Sequence, residues 1–419
     1  MIEIKTKKNT AKVFTDELDK MTKQQIAAMA RDPAYADAKI RVMPDTHAGR
    51  GCVIGMTMTL NGRVSPSLVG VDIGCGMEIV KLVETEMNLP LLDEWIHNYI
   101  PAGKHSFSDL QACNTPISEL LCLSSIDRDR VLKSMGTLGG GNHFIEVDRD
   151  REGYLYLIIH SGSRYLGAAV ANHYRDMAYK YHLKKARKAH RVDTRERREE
   201  EFSDLTAYGI SCLIEDEAGT SGSFRSTKAS RRDERDRLDV KWETAVCEGE
   251  LYEQYLHDLG IAVKFAEENR RRMAEAICEG MHLTVADRFS CVHNYIDDHH
   301  ILRKGAISAR QGERVLIPLN MKDGCLIATG LGNPDWNFSA PHGAGRACSR
   351  TDAKFAYDVE DFQTIMAEAG VYTTSASKET LDECPMAYKS PDRILPHLEE
   401  CVEIQEILKP IYNFKAGKE

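Results

Sequence analysis

Apolar residues recur along the chain at two spacings, and these spacings predict where strands and helices lie. Short, nearly continuous apolar runs predict strands, whereas apolar residues three and four positions apart predict helices. The predicted strands are 1–4, 154–159 and 315–321. The predicted helices are 22–29, 168–200, 248–259, 262–278 and 398–407, with further helical turns across 88–135. Several glycine-rich stretches adjoin predicted strands, so we expect the functional residues to lie at the ends of strands.

The stretch 67–77 places a carboxylate and a thiol among three glycines. Asp72 and Cys75 are three positions apart there, and the glycines let a ligand approach the backbone closely. A carboxylate and a thiolate can bind one borderline metal ion, and a thiolate can bridge two. The alternative is a strand end with a buried cysteine and an aspartate that caps a turn, because free cysteine is often simply buried.

Four histidines lie in comparable settings. His143 follows three glycines, and His160 ends the strand predicted at 154–159. His293 follows an apolar step, and His342 lies between a proline and a Gly-x-Gly-Arg turn whose arginine suits phosphate. Any one of them could be a structural histidine bonded to the backbone. Together with Asp72 and Cys75, however, they predict a metal centre built from distant segments and surrounded by phosphate-binding loops.

A further histidine lies in the segment 41–55. This segment predicts a strand, a turn opened by Pro44 and Asp45, and a glycine-rich loop that returns to an apolar strand. His47 lies in the predicted turn. A histidine that follows an aspartate in a turn is more often a structural hydrogen-bonding residue, so we expect His47 to support the site without binding a metal.

Composition narrows the class of protein. The 419 residues include 55 Lys and Arg against 64 Asp and Glu, a net charge of −9, so nucleic-acid binding would need a local basic groove. The 12 cysteines are scattered without a C-x-x-C pair, which argues against a disulfide scaffold or zinc ribbon and indicates a reducing compartment. No signal-peptide core and no membrane-length apolar run occur. We therefore expect a cytoplasmic protein that does not enter a membrane.

Residues 189–240 form an atypical polar segment. The predicted helix 168–200 becomes strongly basic towards its end, which is typical of a solvated helix face. Periodicity is then lost from about 192 to 238, across a Ser/Thr/Gly tract at 219–230 and a mixed-charge run at 231–237. We expect this part to be mobile or weakly packed.

Six stretches form a longer pattern in chain order. They are MPDTHAGRG at 43–51, VDIGCGM at 71–77, GGGNHFIE at 139–146, HSGSR at 160–164, HNY at 293–295 and HGAGR at 342–346. As a set they are highly specific and span most of the chain. The pattern resembles the RtcB family of GTP-dependent RNA ligases.

The resemblance implies a mixed α/β fold in which helices surround central β-sheets, as a single catalytic domain over 1–419. It also implies two Mn(II) ions and GTP as cofactors. The implied reaction joins an RNA 2′,3′-cyclic phosphate or 3′-phosphate end to a 5′-hydroxyl end. It proceeds through a guanylylated histidine and an RNA 3′-guanylylated intermediate, in RNA repair or tRNA processing.

The resemblance also assigns roles to residues of this sequence. The implied metal ligands are Asp72, Cys75, His143, His160 and His293, with the Cys75 thiolate bridging the two ions. His342 is the implied nucleophile. The implied nucleotide contacts are Asn142, Glu146, His293, Asn294, Pro318, Asn320, Met321, His342, Gly343, Ala344, Gly345, Arg346, Tyr388 and Lys415.

One departure from the family pattern concerns the substrate. Residues 318–321 read Pro-Leu-Asn-Met where many members have Pro-Gly-Ser-Met. This is similar to a divergent branch that is often encoded beside a release-factor-like protein, which makes such a protein an implied partner.

Two alternative functions remain open. The alternative enzyme is a metal-dependent phosphohydrolase acting on nucleotide or RNA phosphates. The non-enzymatic alternative is a metal-loaded RNA-binding factor without catalysis. His342 distinguishes the RNA ligase from the phosphohydrolase, because hydrolysis by metal-bound water needs no nucleophilic histidine.

Overall fold

The computed structural model describes residues 1–49, 51–207 and 240–417. Its α-helices are α1 (Lys20–Arg31), α2 (Pro66–Val69), α3 (Leu89–Tyr99), α4 (Arg128–Lys133), α5 (Arg164–Ala207), α6 (Glu250–Gly280), α7 (Arg350–Ala356) and α8 (Val359–Glu368). The strands of the first half are β1 (Ile2–Lys5), β2 (Thr10–Val13), β3 (Ile40–His47), β4 (Ile54–Thr59), β5 (Arg63–Val64), β6 (Gly76–Leu82), β7 (Phe144–Arg149) and β8 (Leu155–Ser161). The later strands are β9 (Cys247–Glu248), β10 (Val285–Val292), β11 (Asn294–Ile296), β12 (Ile301–Lys304), β13 (Ala306–Ser308), β14 (Arg314–Asn320), β15 (Gly324–Gly330), β16 (Ser339–Pro341) and β17 (Val402–Lys415).

Two large sheets organise these elements. One has the order β1-β2-β3-β4-β12-β11, and the other has the order β10-β6-β8-β7-β17-β15-β14. The two edge strands of the second sheet approach each other, because the amide of Leu316 donates to Cys291 Sγ at 3.3 Å. Helices pack against the sheets, so the mixed α/β fold with central sheets and surrounding helices is confirmed. Among the described residues, no helix is long and apolar enough to cross a membrane.

Strand register brings the predicted metal ligands to one edge of the second sheet. Gly76 of β6 pairs with Ser161 of β8 on one side and with Val292 of β10 on the other. Cys75, His160 and His293 are the chain neighbours of these three residues, so they meet at the ends of adjacent strands. Phe144 of β7 pairs with His160, which adds His143 to the group.

Helix α6 packs against β6 and β8 of the second sheet, and its side chains form hydrogen bonds with an irregular part of the chain. The Glu268 carboxylate accepts from the amides of Asn114 and Thr115, and Asn269 Oδ1 accepts from the amides of Gly136 and Thr137. These buried side chains supply the hydrogen bonds that irregular backbone otherwise lacks. They explain why much of 100–137 is ordered without regular helix, contrary to the helical turns expected across 88–135.

Most predicted elements are confirmed, but two further predictions are wrong. Residues 402–407 are not helical but form the first half of β17, where pairing with β15 outweighs the helix preference of a glutamate-rich sequence. No turn opens at Pro44 and Asp45 either. Strand β3 continues to His47 through an irregularity in its pairing with β4.

The polar segment 189–240 is partly described. The backbone of α5 is helical through Ala207, so the predicted helix is confirmed and the loss of regular structure expected from 192 does not begin there. The rest of the predicted excursion, 208–239, lies outside the described residues.

Candidate metal centre and nucleotide cavity

The predicted metal ligands form a compact cluster at the strand ends. Cys75 Sγ lies 3.2 Å from His160 Nε2 and 3.5 Å from His143 Nε2. Asp72 Oδ2 lies 3.1 Å from His143 Nε2, and the Nε2 atoms of His160 and His293 are 3.4 Å apart. The structure therefore brings together all five residues, whose side chains present one thiol, one carboxylate and three imidazoles.

Backbone carbonyls fix the orientation of two of the imidazoles. His143 Nδ1 donates to the carbonyl of Leu138 at 2.9 Å, and His160 Nδ1 donates to the carbonyl of Asn142 at 2.9 Å. Each ring therefore turns Nε2, with its lone pair, towards the cluster. Gly162 leaves the space that Asp72 occupies, because a Cβ at this glycine would lie 2.0 Å from Asp72 Oδ1.

The protonation of the cluster suits a cation. Burial lowers the pKa of His160 and His293 well below the usual range, which keeps both rings neutral and able to bind a metal. Burial raises the pKa of the Asp72 carboxyl, but His143 and Cys75 outweigh it and hold this pKa below its usual range. Burial and then the neighbouring Asp72 charge raise the pKa of the Cys75 thiol, and a bound metal deprotonates such a thiol.

The donor set fits borderline transition metals. Imidazole and thiolate ligands together suit borderline transition-metal ions better than Mg(II), which prefers oxygen ligands throughout. Cys75, His143 and His160 are all buried, and their ligand atoms lie within 4.8 Å of one another. Direct polar contacts between such groups are costly to bury without an ion, so the cluster indicates a metal-dependent protein.

A deep cavity of about 800 Å³ opens beside the cluster. His160 and His293 form part of its wall. Its lining also contains every residue that was predicted to contact the nucleotide, namely Asn142, Glu146, His293, Asn294, Pro318, Asn320, Met321, His342, Gly343, Ala344, Gly345, Arg346, Tyr388 and Lys415. The volume is within the range typical of small-molecule sites.

His342 lies between the cluster and this cavity. Its ring centroid is 4.9 Å from that of His293, and its Nδ1 is 2.6 Å from Asp45 Oδ2. Asp45 is fully buried, so its carboxylate fixes the ring and leaves Nε2 as the available nitrogen. Gly345 permits this contact, because it has a φ of +75° and a Cβ there would lie 2.0 Å from the carbonyl oxygen of Asp45.

His47 also lines the cavity. Its Nδ1 lies 3.1 Å from the carbonyl oxygen of Asp45. Burial lowers the pKa of His47 to about 4, so the ring is neutral near pH 7. The structure therefore places this histidine beside the residue that holds His342.

A second charged group lies on the cavity wall around Glu383. This carboxylate is 1% exposed and contacts Lys415 Nζ at 3.1 Å, Arg346 Nη1 at 3.3 Å and the guanidinium of Arg350. The hydroxyl of Tyr388 donates to it at 2.5 Å. Burial alone would raise the pKa of Glu383, but the three cations outweigh it and lower the pKa to about 2.

Several of the predicted nucleotide contacts have polar groups that are occupied within the protein, and Arg346 and Asn320 are two examples. Arg346 contacts Glu383 and the carbonyls of Asp382 and Cys348, and it does not extend freely into the cavity. Asn320 Oδ1 accepts from the amides of Lys322 and Asp323, which closes a local turn.

Sequence reasoning did not single out several residues that the structure brings to this site. Asp45 was read only as a turn residue, although it lies within the stretch 43–51 that carried the resemblance. Glu383 and Arg350 gave no signal, because they lie in a segment without glycine turns or apolar strands and acquire their role only through tertiary contacts.

A thiol, three imidazoles and a carboxylate that meet beside a cavity of about 800 Å³ are the arrangement expected of a metal-dependent enzyme. The profile of the family described as tRNA-splicing ligase RtcB matches residues 25–121 and 120–416. The chain belongs to the RtcB family.

Individual relatives agree with this assignment. The chain is 30% identical to the RNA-splicing ligase RtcB of Escherichia coli K12, with 94% of each protein covered. It is 25% identical to the tRNA-splicing ligase RtcB of Aeropyrum pernix, with 84% of this chain and 82% of the relative covered. It is 26% identical to the RNA-splicing ligase RtcB of Mycobacterium bovis, with 88% of this chain and 94% of the relative covered. Membership in this family makes the chain an enzyme of the RNA-ligase class.

Proposed function

We propose that the chain is a GTP- and Mn(II)-dependent RNA ligase. It joins RNA ends bearing a 2′,3′-cyclic phosphate or 3′-phosphate to ends bearing a 5′-hydroxyl. The observation that carries this proposal is the position of His342, which Asp45 holds at the junction of the metal cluster and the cavity. A histidine so placed suits nucleophilic attack on a nucleotide phosphate.

Asp72, Cys75, His143, His160 and His293 would hold the metal ions. The metal would supply Lewis-acid stabilisation of phosphate charge. The chain's own residues orient these ligands, since the carbonyls of Leu138 and Asn142 direct two Nε2 atoms inwards.

The proposed first step is covalent and uses His342 Nε2. This nitrogen attacks the α-phosphorus of GTP, an N–P bond forms, and the bond to pyrophosphate breaks. Asp45 holds Nδ1 and stabilises the positive charge that develops on the ring. Where the RNA end is a 2′,3′-cyclic phosphate, water first opens it to a 3′-phosphate and a 2′-hydroxyl. The guanylyl group then passes from His342 to the 3′-phosphate as the N–P bond breaks, and the 5′-hydroxyl displaces GMP to seal the strand.

The other cavity residues are proposed to hold the nucleotide. Glu146 presents a carboxylate that can accept from N–H groups of a purine, and Lys415 presents a donor at the same wall. Tyr388 offers a ring face with Arg346 over it at 5.3 Å. Asn142, Asn294 and the 318–321 and 342–346 segments complete the lining.

The RNA substrate and the partner follow from the family resemblance. With a net charge of −9, the chain must bind RNA through local basic groups around the cavity. The Pro-Leu-Asn-Met sequence at 318–321 supports a role in RNA repair together with a release-factor-like protein.

Labelling with GTP tests this proposal directly. Protein incubated with α-labelled GTP and Mn(II) should carry a covalent label on a denaturing gel, and this label should be acid-labile and alkali-stable, as a phosphoramidate is. His342→Ala should carry no label while still binding metal, because all five ligands remain. His299→Ala, which changes an exposed loop histidine, should label like the unmodified protein.

The same experiment distinguishes the RNA ligase from the alternative function, a phosphohydrolase. A metal-dependent phosphohydrolase would release phosphate without a covalent label, and His342→Ala would leave that activity intact. Label that persisted in His342→Ala, or that mapped to a lysine, would contradict the proposed nucleophile.

A further inference from the structure

Lys389 connects the glycine-rich loop 342–346 to the end of strand β3. Its backbone amide donates to the carbonyl of Gly345 at 2.9 Å. Its side-chain ammonium donates to the carbonyl of Pro44 at 3.2 Å and to the carbonyl of Thr46 at 2.8 Å. One lysine therefore contacts both of the segments that carry the proposed nucleophile and its carboxylate partner.

The part of β3 that Lys389 contacts lacks regular strand pairing. The register of β3 with β4 is regular up to Val42 and resumes only at His47. Among the described strands, the stretch 43–46 between them has no ladder partner, and this stretch carries Asp45. Buried backbone carbonyls need hydrogen-bond donors. The ammonium of Lys389 supplies them, and it thereby fixes the backbone on both sides of Asp45.

The carboxylate of Asp45 also needs a compensating charge. Asp45 is fully buried; its Oδ2 lies 2.6 Å from His342 Nδ1, and its Oδ1 has no hydrogen-bond partner among the described residues. A buried charge that is only partly hydrogen-bonded is costly unless an opposite charge lies nearby. Burial lowers the pKa of Lys389, and the charge of Asp45 is the strongest influence that raises it. The two charges therefore stabilise each other.

We propose that Lys389 is a positioning residue that acts on the nucleophile through Asp45. It holds the carbonyls on either side of Asp45 and balances the charge of the carboxylate, which keeps this carboxylate directed at His342 Nδ1. With Nδ1 held, Nε2 faces the nucleotide. Lys389 does not line the cavity, so it acts without touching the nucleotide. This inference rests on the proposed guanylylation of His342.

Single-turnover labelling with GTP tests this role. Lys389→Met keeps the length of the side chain but removes its charge and its N–H donors, so labelling should slow by about 10–100-fold, as for other supporting residues. The GTP concentration that gives half the maximal rate should not change, because Lys389 lies outside the cavity lining. Lys389→Arg keeps the charge and the donors and should retain most of the rate.

A double variant distinguishes action through Asp45 from a general loosening of the fold. Asp45→Asn and Asp45→Asn/Lys389→Met should label at nearly the same rate, because the lysine no longer has a carboxylate to hold. A purely structural role would instead lower the rate by the same factor in both backgrounds. Equal factors in the two backgrounds would therefore contradict the inference.

Lys12→Met is the matched control. Lys12 is a half-buried lysine of β2, and its ammonium contacts Asp335 at 2.8 Å, outside the cavity lining. This variant should label like the unmodified protein, and all variants should keep a cooperative unfolding transition. Lys389→Gln removes the charge in a different way and should label as slowly as Lys389→Met, which provides a second variant where the first fails to fold.

The ring of His342 gives a measurement that needs no GTP. In full-length protein with isotopically labelled histidine, kept in diamagnetic Zn(II), its Nδ1–H proton should give a low-field resonance that His342→Ala removes. This resonance should exchange with water faster or disappear in Lys389→Met and should remain in Lys389→Arg.

An unchanged resonance or a normal labelling rate in Lys389→Met would overturn the inference. Absence of covalent label in the unmodified protein would instead overturn the proposed function. The resonance would still decide whether Lys389 positions the ring, so the two failures can be told apart.

Discussion

The metal cluster around Cys75 and the ionic group around Glu383 form two parts of one cavity wall, yet they balance charge in opposite ways. Glu383 is surrounded by three cations of the protein itself. The Cys75 cluster consists of one thiol, three imidazoles and one carboxylate. Its nearest arginines, Arg164 and Arg270, direct their donors to Thr137 and to backbone carbonyls instead.

Because of this difference, substitutions in one region should affect stability and substitutions in the other should affect metal binding. The Glu383 group is complete within the folded chain, so its loss should weaken folding. Among the described residues, no Lys or Arg side chain contacts the ligand atoms of the Cys75 cluster, so loss of this cluster should abolish ion binding and leave the fold largely unchanged. Variants in the two regions should therefore have distinct signatures.

The largest effect on activity is expected from the thiol. Cys75→Ala and Cys75→Ser should each lower guanylylation by more than about 100-fold, because a hydroxyl does not bridge two ions as a thiolate does. Metal analysis after dialysis should show lost ions, while the unfolding midpoint of the metal-free protein should change little. Full metal occupancy and activity in Cys75→Ser would contradict a thiolate-bridged centre.

A second prediction concerns Asp45, which contacts the proposed nucleophile His342. Asp45→Asn keeps the size of the side chain but removes the charge that fixes Nδ1 of His342, so labelling by GTP should slow by about 100-fold or more. Single-turnover labelling measures this rate. Metal content should not change, and a normal labelling rate would show that Asp45 has only a structural role.

The third prediction compares the contributions of the two regions to the stability of the fold. Glu383→Gln leaves the buried Arg346 and Lys415 without their carboxylate partner, whereas Arg350 keeps Asp382 at 2.8 Å, and the change should lower the free energy of unfolding by about 3–5 kcal/mol. Urea unfolding at neutral pH measures the loss. A variant in the first cluster, Cys75→Ser, is the comparison and should unfold close to the unmodified protein when both are metal-free.

The same variant gives a pH dependence of defined sign. The pKa of Glu383 falls from an ordinary value of 4.5 to about 2 in the folded protein. Its stabilising contribution is therefore fully present above about pH 4.5 and is lost as pH falls towards 2. The difference in unfolding free energy between the unmodified protein and Glu383→Gln should shrink across this window, and a constant difference would contradict the ionic explanation.

These two regions also differ in how far the sequence predicted them. The metal ligands lie beside glycine turns or strand ends, and strand register then brings them together, so local patterns were informative. Glu383 lies in an irregular stretch, and its partners Arg346, Arg350 and Lys415 come from three separate elements. No local pattern encodes a contact between such residues, because only the tertiary fold brings them into one group.

Strand β17 is another place where local sequence patterns do not predict the structure. Its glutamate-rich first half resembles a helix in composition, and only its pairing with β15 makes it a strand. Its second half pairs with β7 and places Asn413 opposite Glu146. Similarly, the buried carboxylates and amide of α6 that order the 100–137 region act at sequence separations above 130 residues, beyond any periodicity.

The smallest effect is expected from shortening the polar segment. Replacing 205–235 by a short Gly/Ser linker should leave both regions of the cavity wall unchanged, because the chain on either side has its own attachments. His182 donates to the carbonyl of Val246 at 2.9 Å, Lys185 contacts Glu248 at 2.9 Å, and β5 pairs with β9. Since loop-closure free energy varies slowly with length, the free energy of unfolding should change by less than about 1 kcal/mol.

Guanylylation and metal content should likewise match the unmodified protein, whereas RNA affinity should fall if the basic end of α5 contributes to RNA binding. Denaturant unfolding, labelling with GTP and RNA titration measure the three quantities on one preparation. If shortening the segment abolished the cooperative unfolding transition, then 205–235 would be part of the folded core. In that case the attachments at His182 and Lys185 would not be sufficient to hold the chain that returns to β9, and the polarity of the segment would have misled the sequence analysis.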